Sequence, residues 1–296
     1  MNTVVLGGAG FIGSALAARL LAEGHDVTIV DNFSRGQRAH IPLGCRIEAC
    51  DVRDWWSSDV SWDWLLCLAG VVGVPNVERD PLLAWRINTW AVEAVLRCRA
   101  DIGKIFYAST SEAYGTPTEI PTPETAPLQV PSPTSPRGVY AASKIWGEVG
   151  IVHSGRPYVI GRFHNIYGPR MGVDHVIPKF CLRVHGREPL IVDDPTAVRA
   201  FCYIDDAVEA LIRLMQDTTN VTVNIGNPTE PVTMLALMER IQAVAGGAPQ
   251  PIQTGTQEGF PRRRTPDIRR LTALTGFVPK VSLDEGLRRT YVWYAR

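Results

Sequence analysis

The chain has 296 residues, of which 45% are hydrophobic, and its 30 basic residues balance 30 acidic ones to a formal net charge of zero. A chain of this length can bury a large core in one domain or in two joined domains. Zero net charge gives no general electrostatic reason to bind nucleic acid or an anionic membrane, and no apolar run reaches membrane-spanning length. We therefore expect a soluble, cytoplasmic protein with neither nucleic acid nor membrane as a partner.

The cysteines show no CxxC pattern and no metal-ligand spacing. There are six: Cys45, Cys50, Cys67, Cys98, Cys181 and Cys202. Four lie within apolar runs, which is typical of buried thiols. We predict reduced cysteines and no metal site.

In the first half of the chain, short apolar runs alternate with helical patterns. The predicted strands are residues 3–7, 26–31, 45–51, 63–70 and 104–109, and the predicted helices are residues 11–23 and 81–99. Parallel strands need crossover connections, and helices are the usual ones. The alternation therefore predicts an α/β fold with a doubly wound parallel sheet, a Rossmann fold.

The second half is less regular. A Pro-rich stretch, residues 116–138, excludes helix and central strand, and we interpret it as an ordered loop over an active site. The elements predicted after it are helices Val139–His153, 205–216, 233–245 and 283–294, and strands 158–163 and 221–226. We expect residues 1–166 to form the main domain, with some later segments returning to it. Residues 167–296 would mainly form a smaller mixed α/β lobe.

A glycine-rich turn separates the first strand from the first helix. Gly7, Gly10 and Gly13 permit a tight turn and close backbone approach to a pyrophosphate, which the helix N-terminus would bind. Asp31 ends the second strand, where an acid can accept a hydrogen bond from an adenosine ribose 2′-hydroxyl. Because a carboxylate there repels a 2′-phosphate, the pattern favours NAD over NADP.

A tyrosine and a lysine stand four residues apart and so share one helix face. They are Tyr140 and Lys144. A free phenol, with a pKa of about 10, is a poor base at neutral pH. A nearby ammonium and a nicotinamide cation would stabilise the phenolate, so Tyr140 could remove a hydroxyl proton as hydride leaves.

Together these motifs resemble the extended short-chain dehydrogenase/reductase family, and most closely its nucleotide-sugar epimerases, dehydratases and decarboxylases. The segments that carry the resemblance are GxxGxxG at 7–13, LAG at 68–70, STSEAYG at 109–115, YAASK at 140–144, RFHNIYGPR at 162–170, and matches at 199–211, 224–228 and 267–271. Two positions depart from the family pattern. Gly70 replaces an alanine, and Asn88 begins Asn-Thr-Trp-Ala-Val instead of Asn-x-x-Gly-Thr.

The resemblance implies a tightly held NAD that oxidises the sugar at C4 and later returns the hydride. Tyr140 would be the base and Thr110 part of the hydrogen-bond relay. The catalytic residues implied are Thr110, Glu112, Tyr140 and Lys144. The cofactor contacts implied are Gly7, Gly10, Phe11, Ile12, Gly13, Asp31, Asn32, Asp51, Val52, Leu68, Ala69, Gly70, Asn88, Tyr140 and Lys144. The substrate contacts implied are Ser111, Asn165, Val176, Ile177, Arg199, Arg262 and Arg264. A homodimer through the helices at 81–99 and 139–153 is also implied.

The reaction depends on the residues beside Thr110. Ser111 stands where a dehydratase has its acid, which weakens that alternative. Thr110-Ser111-Glu112 and Arg264 resemble UDP-glucuronate decarboxylases, whereas the short segment at 168–180 suits 4-epimerases. We expect an NDP-hexose (UDP-sugar) 4-epimerase, with a UDP-glucuronate decarboxylase-like enzyme as the alternative. Dehydratase or reductase chemistry, net dehydrogenation and a non-catalytic NAD-binding regulator remain open.

Overall fold

The computed structural model describes residues 1–56, 60–247, 252–253 and 262–296. A seven-stranded sheet, parallel throughout, forms its centre. Its strands are β1 (Asn2–Leu6), β2 (Asp26–Val30), β3 (Arg46–Glu48), β4 (Trp62–Cys67), β5 (Ile102–Thr110), β6 (Tyr158–Phe163) and β7 (Val221–Ile225). They run in the spatial order β7-β6-β5-β4-β1-β2-β3. The predicted doubly wound Rossmann fold is confirmed.

Alternate residues of the central strands enter two separate hydrophobic clusters, one on each face of the sheet. In β1, Val5 belongs to one cluster, and Val4 and Leu6 belong to the other. Leu16 packs with Val5 from the first helix, whereas Ile151 packs with the opposite cluster. Strands covered on both faces read as continuous apolar runs, which is why this sheet was visible in the sequence.

The described residues form nine α-helices. They are α1 (Phe11–Ala22), α2 (Val74–Arg79), α3 (Pro81–Arg97), α4 (Pro136–Val152), α5 (Val176–His185), α6 (Ile204–Asp217), α7 (Met234–Val244), α8 (Arg269–Thr275) and α9 (Leu283–Tyr294). The patterns at 11–23, 81–99, 205–216, 233–245 and 283–294 correspond to α1, α3, α6, α7 and α9. The helices α2, α5 and α8 were not predicted.

Helix α4 begins at Pro136, three residues earlier than predicted, so the end of the Pro-rich stretch is helical. Excluding helix there was wrong because a proline in the first turn loses no intrahelical hydrogen bond. The Ser135 hydroxyl caps the helix by accepting from Gly138 N at 3.1 Å.

The rest of the Pro-rich stretch is tied to the segment that carries Arg264. Thr122 N donates to Thr265 O at 2.8 Å, and Asp267 N donates to Thr122 O at 2.9 Å. From this stretch, Pro136 and Arg137 line the large cleft of the molecule. The stretch is therefore an ordered loop, and its helical end, not its middle, lies at the cleft.

Short strand pairs build the region beyond residue 166. Val198–Arg199 pairs with Val232–Thr233 and with Arg263–Arg264, while Ile166–Tyr167 pairs with Cys202–Tyr203 and Ile191–Val192 with Ile252–Gln253. Strand β7 lies at the edge of the main sheet beside β6. The division of the chain at residues 166 and 167 stays a prediction.

All six cysteines are free thiols, and Cys67, Cys98, Cys181 and Cys202 are buried. This agrees with the expectation of reduced cysteines. Within the described ranges, none of the helices combines the length and the apolar character that crossing a membrane requires.

Candidate active site

A cleft of about 1220 Å³ lies at the carboxyl ends of the central strands, and residues from both halves of the chain line it. Ligands of open α/β sheets bind in this position. Of the site residues predicted from the sequence, all but Asn88, Arg199 and Arg262 line the cleft. One cavity thus brings together the glycine-rich turn, the Tyr-Lys pair and the Thr-Ser-Glu segment.

The glycine-rich turn leaves no room for side chains. Gly7 has a φ of +80°, and a Cβ there would lie 2.7 Å from Ala69 Cα. A Cβ on Gly13 would lie 2.5 Å from Gly7 O. Gly10 caps α1 without a side-chain hydrogen bond. The turn that leads into α1 therefore presents backbone at its glycines to the cleft, which fits the pyrophosphate of a dinucleotide.

Two carboxylates lie at the ends of β2 and β3. Asp31 accepts hydrogen bonds from Ala9 N at 3.0 Å and from Phe33 N at 2.8 Å. Asp51 accepts from the Asn32 amide at 2.8 Å and from Arg53, whose hydrogen bond is the main cause that lowers the pKa of Asp51. Hydrogen bonds thus orient both side chains at the cleft, which suits the adenosine end of NAD.

Asn88 is buried behind the cleft, and its hydrogen bonds hold the loop that lines the cleft after β4. Its amide accepts from Val71 N at 2.7 Å and donates to Val71 O at 3.3 Å and to Ser143 Oγ at 3.1 Å. A Cβ on Gly70 would lie 2.8 Å from Asn88 Oδ1. The glycine that departs from the family pattern therefore makes space for this amide, which ties the loop after β4 to α4.

Lys144 is buried and hydrogen-bonded to the main chain. Its ammonium donates to Ala108 O at 2.9 Å and lies 5.1 Å from the centroid of the Tyr107 ring. Burial is the main cause that lowers the pKa of Lys144 to about 8. The hydrogen bond to Ala108 O fixes the ammonium to β5, and the role of Lys144 in stabilising the Tyr140 phenolate stays a prediction.

The Thr110 side chain makes two hydrogen bonds at the cleft. Its Oγ1 accepts from Glu112 N at 3.2 Å and caps the short 3₁₀ helix Ser111–Tyr114. Its hydroxyl is also hydrogen-bonded to Tyr140, which partly opposes the increase in the pKa of Tyr140 caused by burial. Tyr140 is thus linked to Thr110, as a proton relay requires.

Glu112 is not a solvated loop residue. Arg264 binds both of its carboxylate oxygens, with Nη2 at 2.8 Å from Oε2, and Arg137 Nη2 lies 2.6 Å from Oε2. Burial raises the pKa of Glu112, but the charges and hydrogen bonds of Arg264 and Arg137 outweigh it and lower the value to about 2. Glu112 is therefore an ionised, oriented carboxylate next to Thr110.

Arg137 is a site residue that the sequence interpretation missed. It lies in the first turn of α4, three residues before Tyr140, so both side chains share one side of the helix. The signal was present in the spacing, but the Pro-rich stretch was interpreted as non-helical. Ser135 followed by Pro136 is itself a helix-start signal.

The predicted substrate contacts separate into two groups. Asn165, Val176 and Ile177 line the cleft; Asn165 adopts a φ of +44°, which asparagine tolerates, and donates to Ala200 O at 2.9 Å. The guanidinium of Arg199 is bonded to the carbonyls of Val198 and Arg262. Arg262 itself is exposed, so from the 262–264 cluster Arg264 supplies the inward guanidinium.

A buried ion pair, which was also not predicted, lies beside the end of β5 that carries Thr110. Arg162 donates to Glu148 through Nε at 2.9 Å and Nη2 at 2.7 Å. Glu148 also accepts from Ser109 Oγ at 2.5 Å. Because Ser109 precedes Thr110 on β5, the ion pair fixes the end of this strand, after which the 3₁₀ helix Ser111–Tyr114 begins.

The family follows from comparison with known proteins. The model of the NAD dependent epimerase/dehydratase family matches residues 3–226. The chain belongs to this family. NAD is therefore the cofactor to which this cleft corresponds, and the assignment of the glycine turn, Asp31 and Lys144 to its binding stays a prediction.

One relative of the chain is UDP-glucuronic acid decarboxylase 1 of Xenopus tropicalis. The two sequences are 30% identical over 99% of the chain and 72% of the relative. UDP-glucuronic acid decarboxylase 3 of Arabidopsis thaliana is 32% identical over 97% of the chain and 87% of the relative. A UDP-glucose 4-epimerase of Thermotoga maritima, solved with UDP-glucose, has a TM-score of 0.88 and 27% identity over 99% of this chain and 98% of its own. The resemblance to nucleotide-sugar enzymes is thereby confirmed, and the protein is an NAD-dependent enzyme of this group.

Proposed function

We propose that the protein decarboxylates a nucleotide-linked uronic acid, with UDP-glucuronate as the first substrate to test. The observation that carries the proposal is the Glu112 carboxylate held by Arg264 and Arg137 beside Thr110 and Tyr140. Oxidation at C4 needs only the relay and the cofactor. A reaction that continues at C5 and C6, as decarboxylation does, also needs a charged group next to that relay, and Glu112 is such a group.

The relatives support the same choice. The decarboxylases cited above align with nearly the whole chain at 30% and 32% identity. The sequence interpretation placed 4-epimerase first because the segment after Arg170 is short. With the Glu112–Arg264 pair formed, the decarboxylase alternative is better supported than that first expectation.

The chain's own residues would act in the following order. The glycine turn and Asp31 would hold NAD, which would supply the hydride acceptor and donor for C4. Tyr140 would act as the phenolate, which the positive charge of bound NAD would stabilise, and would take the proton of the C4 hydroxyl. The electron pair of the C5–C6 bond then moves toward the C4 oxygen as carbon dioxide leaves, and C5 gains a proton. Glu112 and Arg264 position the C5–C6 region during this step.

A UDP-sugar 4-epimerase is the second candidate. The likeness to the Thermotoga maritima epimerase extends over both chains almost completely. In that reaction the 4-keto sugar turns over and receives hydride on its other face. Glu112 would then serve only as a ligand for a sugar hydroxyl.

Mass spectrometry and NMR of the products separate the two candidates. The NAD-loaded protein is incubated with UDP-glucuronate, UDP-glucose and their N-acetylated analogues. A product lighter by carbon dioxide supports decarboxylation. An isomer of unchanged mass, inverted at C4, refutes it and supports epimerisation. Steady accumulation of NADH would instead indicate a net dehydrogenase.

We also propose a homodimer formed through α3 and α4. Both helices carry exposed apolar side chains: Leu82, Leu83, Trp146, Val149 and Val152. Light scattering of the purified protein, and of a Val149→Glu variant, would test this assembly. A monomeric wild type would refute it.

A further inference from the structure

The side chain of Asn224, near the end of β7, is completely buried and makes four hydrogen bonds. Its amide nitrogen donates to Thr122 O at 2.9 Å and to Asp267 O at 3.1 Å. Its oxygen lies 2.8 Å from the Tyr114 hydroxyl and 3.0 Å from His164 Nε2. Because an amide has two donor hydrogens and one acceptor oxygen, both polar atoms of this side chain are used.

These contacts fix the direction in which the amide points. The two carbonyls can only accept, so they must face the nitrogen, and the oxygen of Asn224 must accept from both remaining partners. Tyr114 therefore donates its hydroxyl proton to Asn224, and the same hydroxyl accepts from Arg162 Nη1 at 2.9 Å. By the same argument, His164 carries its proton on Nε2. Partners from four separate segments of the chain thus hold the amide.

The contact with Tyr114 reaches the short helix that carries Glu112. Thr110 caps the start of this 3₁₀ helix by accepting from Glu112 N at 3.2 Å. Tyr114 ends the helix and bonds to Asn224. Glu112 therefore lies between two fixed points, one at Thr110 and one at Asn224.

The contact with Asp267 reaches the segment that carries Arg264. On one side, the strand of Arg264 pairs with Val198–Arg199. On the other side, three residues after Arg264, the carbonyl of Asp267 accepts from Asn224. Arg264 therefore also lies between two fixed points, and Asn224 is the point that it shares with the helix of Glu112.

We propose that Asn224 is a positioning residue: its amide joins the helix that carries Glu112 to the segment that carries Arg264, and so sets where their charged groups meet in the cleft. Arg264 contacts both carboxylate oxygens of Glu112, and a two-point contact of this kind requires a specific relative placement of the two side chains. Asn224 does not itself line the cleft, so it acts through the pair and not on a ligand. The inference rests on the proposed function only for the reaction step that the pair serves.

Tyr114→Phe tests the link on the side of Glu112, because it removes one hydroxyl and keeps the ring. Arg162 Nη1 still donates to Glu124 O at 3.2 Å. Single-turnover mixing of the NAD-loaded protein with UDP-glucuronate separates two steps: the absorbance of reduced nicotinamide reports oxidation at C4, and mass spectrometry reports loss of carbon dioxide. Oxidation at C4 should stay within about threefold, and loss of carbon dioxide should slow about 10-fold, as expected when one hydrogen bond that fixes the pair is lost.

His164→Phe is the matched control. His164 donates to the same oxygen of Asn224 and is buried like Tyr114, but it belongs neither to the helix of Glu112 nor to the segment of Arg264. Both steps should stay within about threefold in this variant. Selective slowing of the second step by His164→Phe as well would overturn the proposal. Thermal unfolding shows whether each variant is folded before mixing.

Asn224→Asp tests the link on the side of Arg264. The acceptor oxygen is kept, and the nitrogen that donates to Thr122 O and Asp267 O becomes a second oxygen. Since at least one of these two hydrogen bonds is lost, loss of carbon dioxide should slow at least about 10-fold, with oxidation at C4 again within about threefold. Equal slowing of both steps would make Asn224 a merely structural residue and would overturn the proposal.

A stability cycle tests the positioning without any substrate. The decrease in Tm caused by Glu112→Gln is measured in the wild type and in the Tyr114→Phe protein. If Tyr114 and Asn224 position the pair, Glu112→Gln should lower the Tm by at least about 1 °C less in the Tyr114→Phe background, because the pair is already loosened there. Decreases that simply add would overturn the positioning.

The two proposals fail in different ways. If the wild type gives no product lighter by carbon dioxide, decarboxylation is wrong, and the stability cycle alone decides the role of Asn224. If that product forms but the cycle is additive, decarboxylation stands and the positioning is wrong.

Discussion

Replacing Glu148 by glutamine should destabilise the protein strongly, although Glu148 does not line the cleft. Its carboxylate is 6% exposed and binds Arg162, which is 7% exposed, through two hydrogen bonds of 2.9 and 2.7 Å. Ser109 adds a third contact from β5. The substitution would leave the guanidinium of Arg162 buried without its counter-charge.

The expected magnitude follows from that burial. Removing one partner of a buried ion pair costs about 3–5 kcal/mol. For a protein of 296 residues, an unfolding entropy of about 2.1 cal/mol/K per residue converts this cost to a decrease in Tm of about 5–8 °C. Turnover should fall as well, because Ser109 adjoins Thr110.

Differential scanning calorimetry of the NAD-free protein measures the shift in Tm. Glu93→Gln is the matched control, since Glu93 and Arg97 form an ion pair with 40% and 50% exposed side chains on α3. That pair should contribute less than about 1 kcal/mol. In the double variant Glu148→Gln/Arg162→Met, much of the stability should return because no buried charge remains. A decrease in Tm below about 2 °C for Glu148→Gln would refute the reasoning.

Three further variants test the cleft. Tyr140→Phe should lower turnover by about 10²–10⁴-fold while NAD affinity, measured by fluorescence titration, is kept; near-normal turnover would exclude Tyr140 as the base. The pKa of Glu112 falls from 4.5 unfolded to about 2 folded, so its stabilising contribution is complete above pH 4.5 and is lost as the pH falls toward 2. Urea unfolding at pH 5 and pH 3 should show a loss of stability, at most about 3 kcal/mol, that Glu112→Gln lacks. Gly70→Ala would place a methyl group 2.8 Å from Asn88 Oδ1 and should cost about 1–3 kcal/mol and weaken NAD binding; unchanged calorimetry and titration would show that Asn88 can move.

The sheet and the cofactor side of the cleft were predictable because their signals are local. Apolar runs such as Val4–Leu6 mark strands that are covered on both faces, and the glycine spacing marks the turn after β1. Asp31 follows its strand directly. Each of these features is encoded within a few consecutive residues, so no knowledge of distant contacts was needed.

The contacts that support the reaction were not predictable in the same way. Glu112 and Arg264 are separated by 152 positions, and a buried pair cannot be told from two surface charges in the sequence. Glu148 and Arg162 pair across α4 and β6, which only the packed fold brings together. Arg137 was hidden because proline within a helical first turn was interpreted as a loop.

Glu112→Gln should separate the two candidate reactions, because they differ in what they require beyond C4. In 4-epimerisation the proton leaves and returns through one hydroxyl, so Tyr140 and its relay are sufficient. Decarboxylation also breaks a bond at C5 and adds a proton there, which in the proposed mechanism takes place beside the carboxylate that Arg264 binds. We expect decarboxylation of UDP-glucuronate to fall by at least about 10²-fold, and any epimerisation to stay within about threefold. Glu119→Gln, an exposed glutamate of the Pro-rich loop, is the control and should change neither rate. If Glu112→Gln changes neither rate, Glu112 only neutralises buried arginines, and the argument for decarboxylation from this pair is wrong.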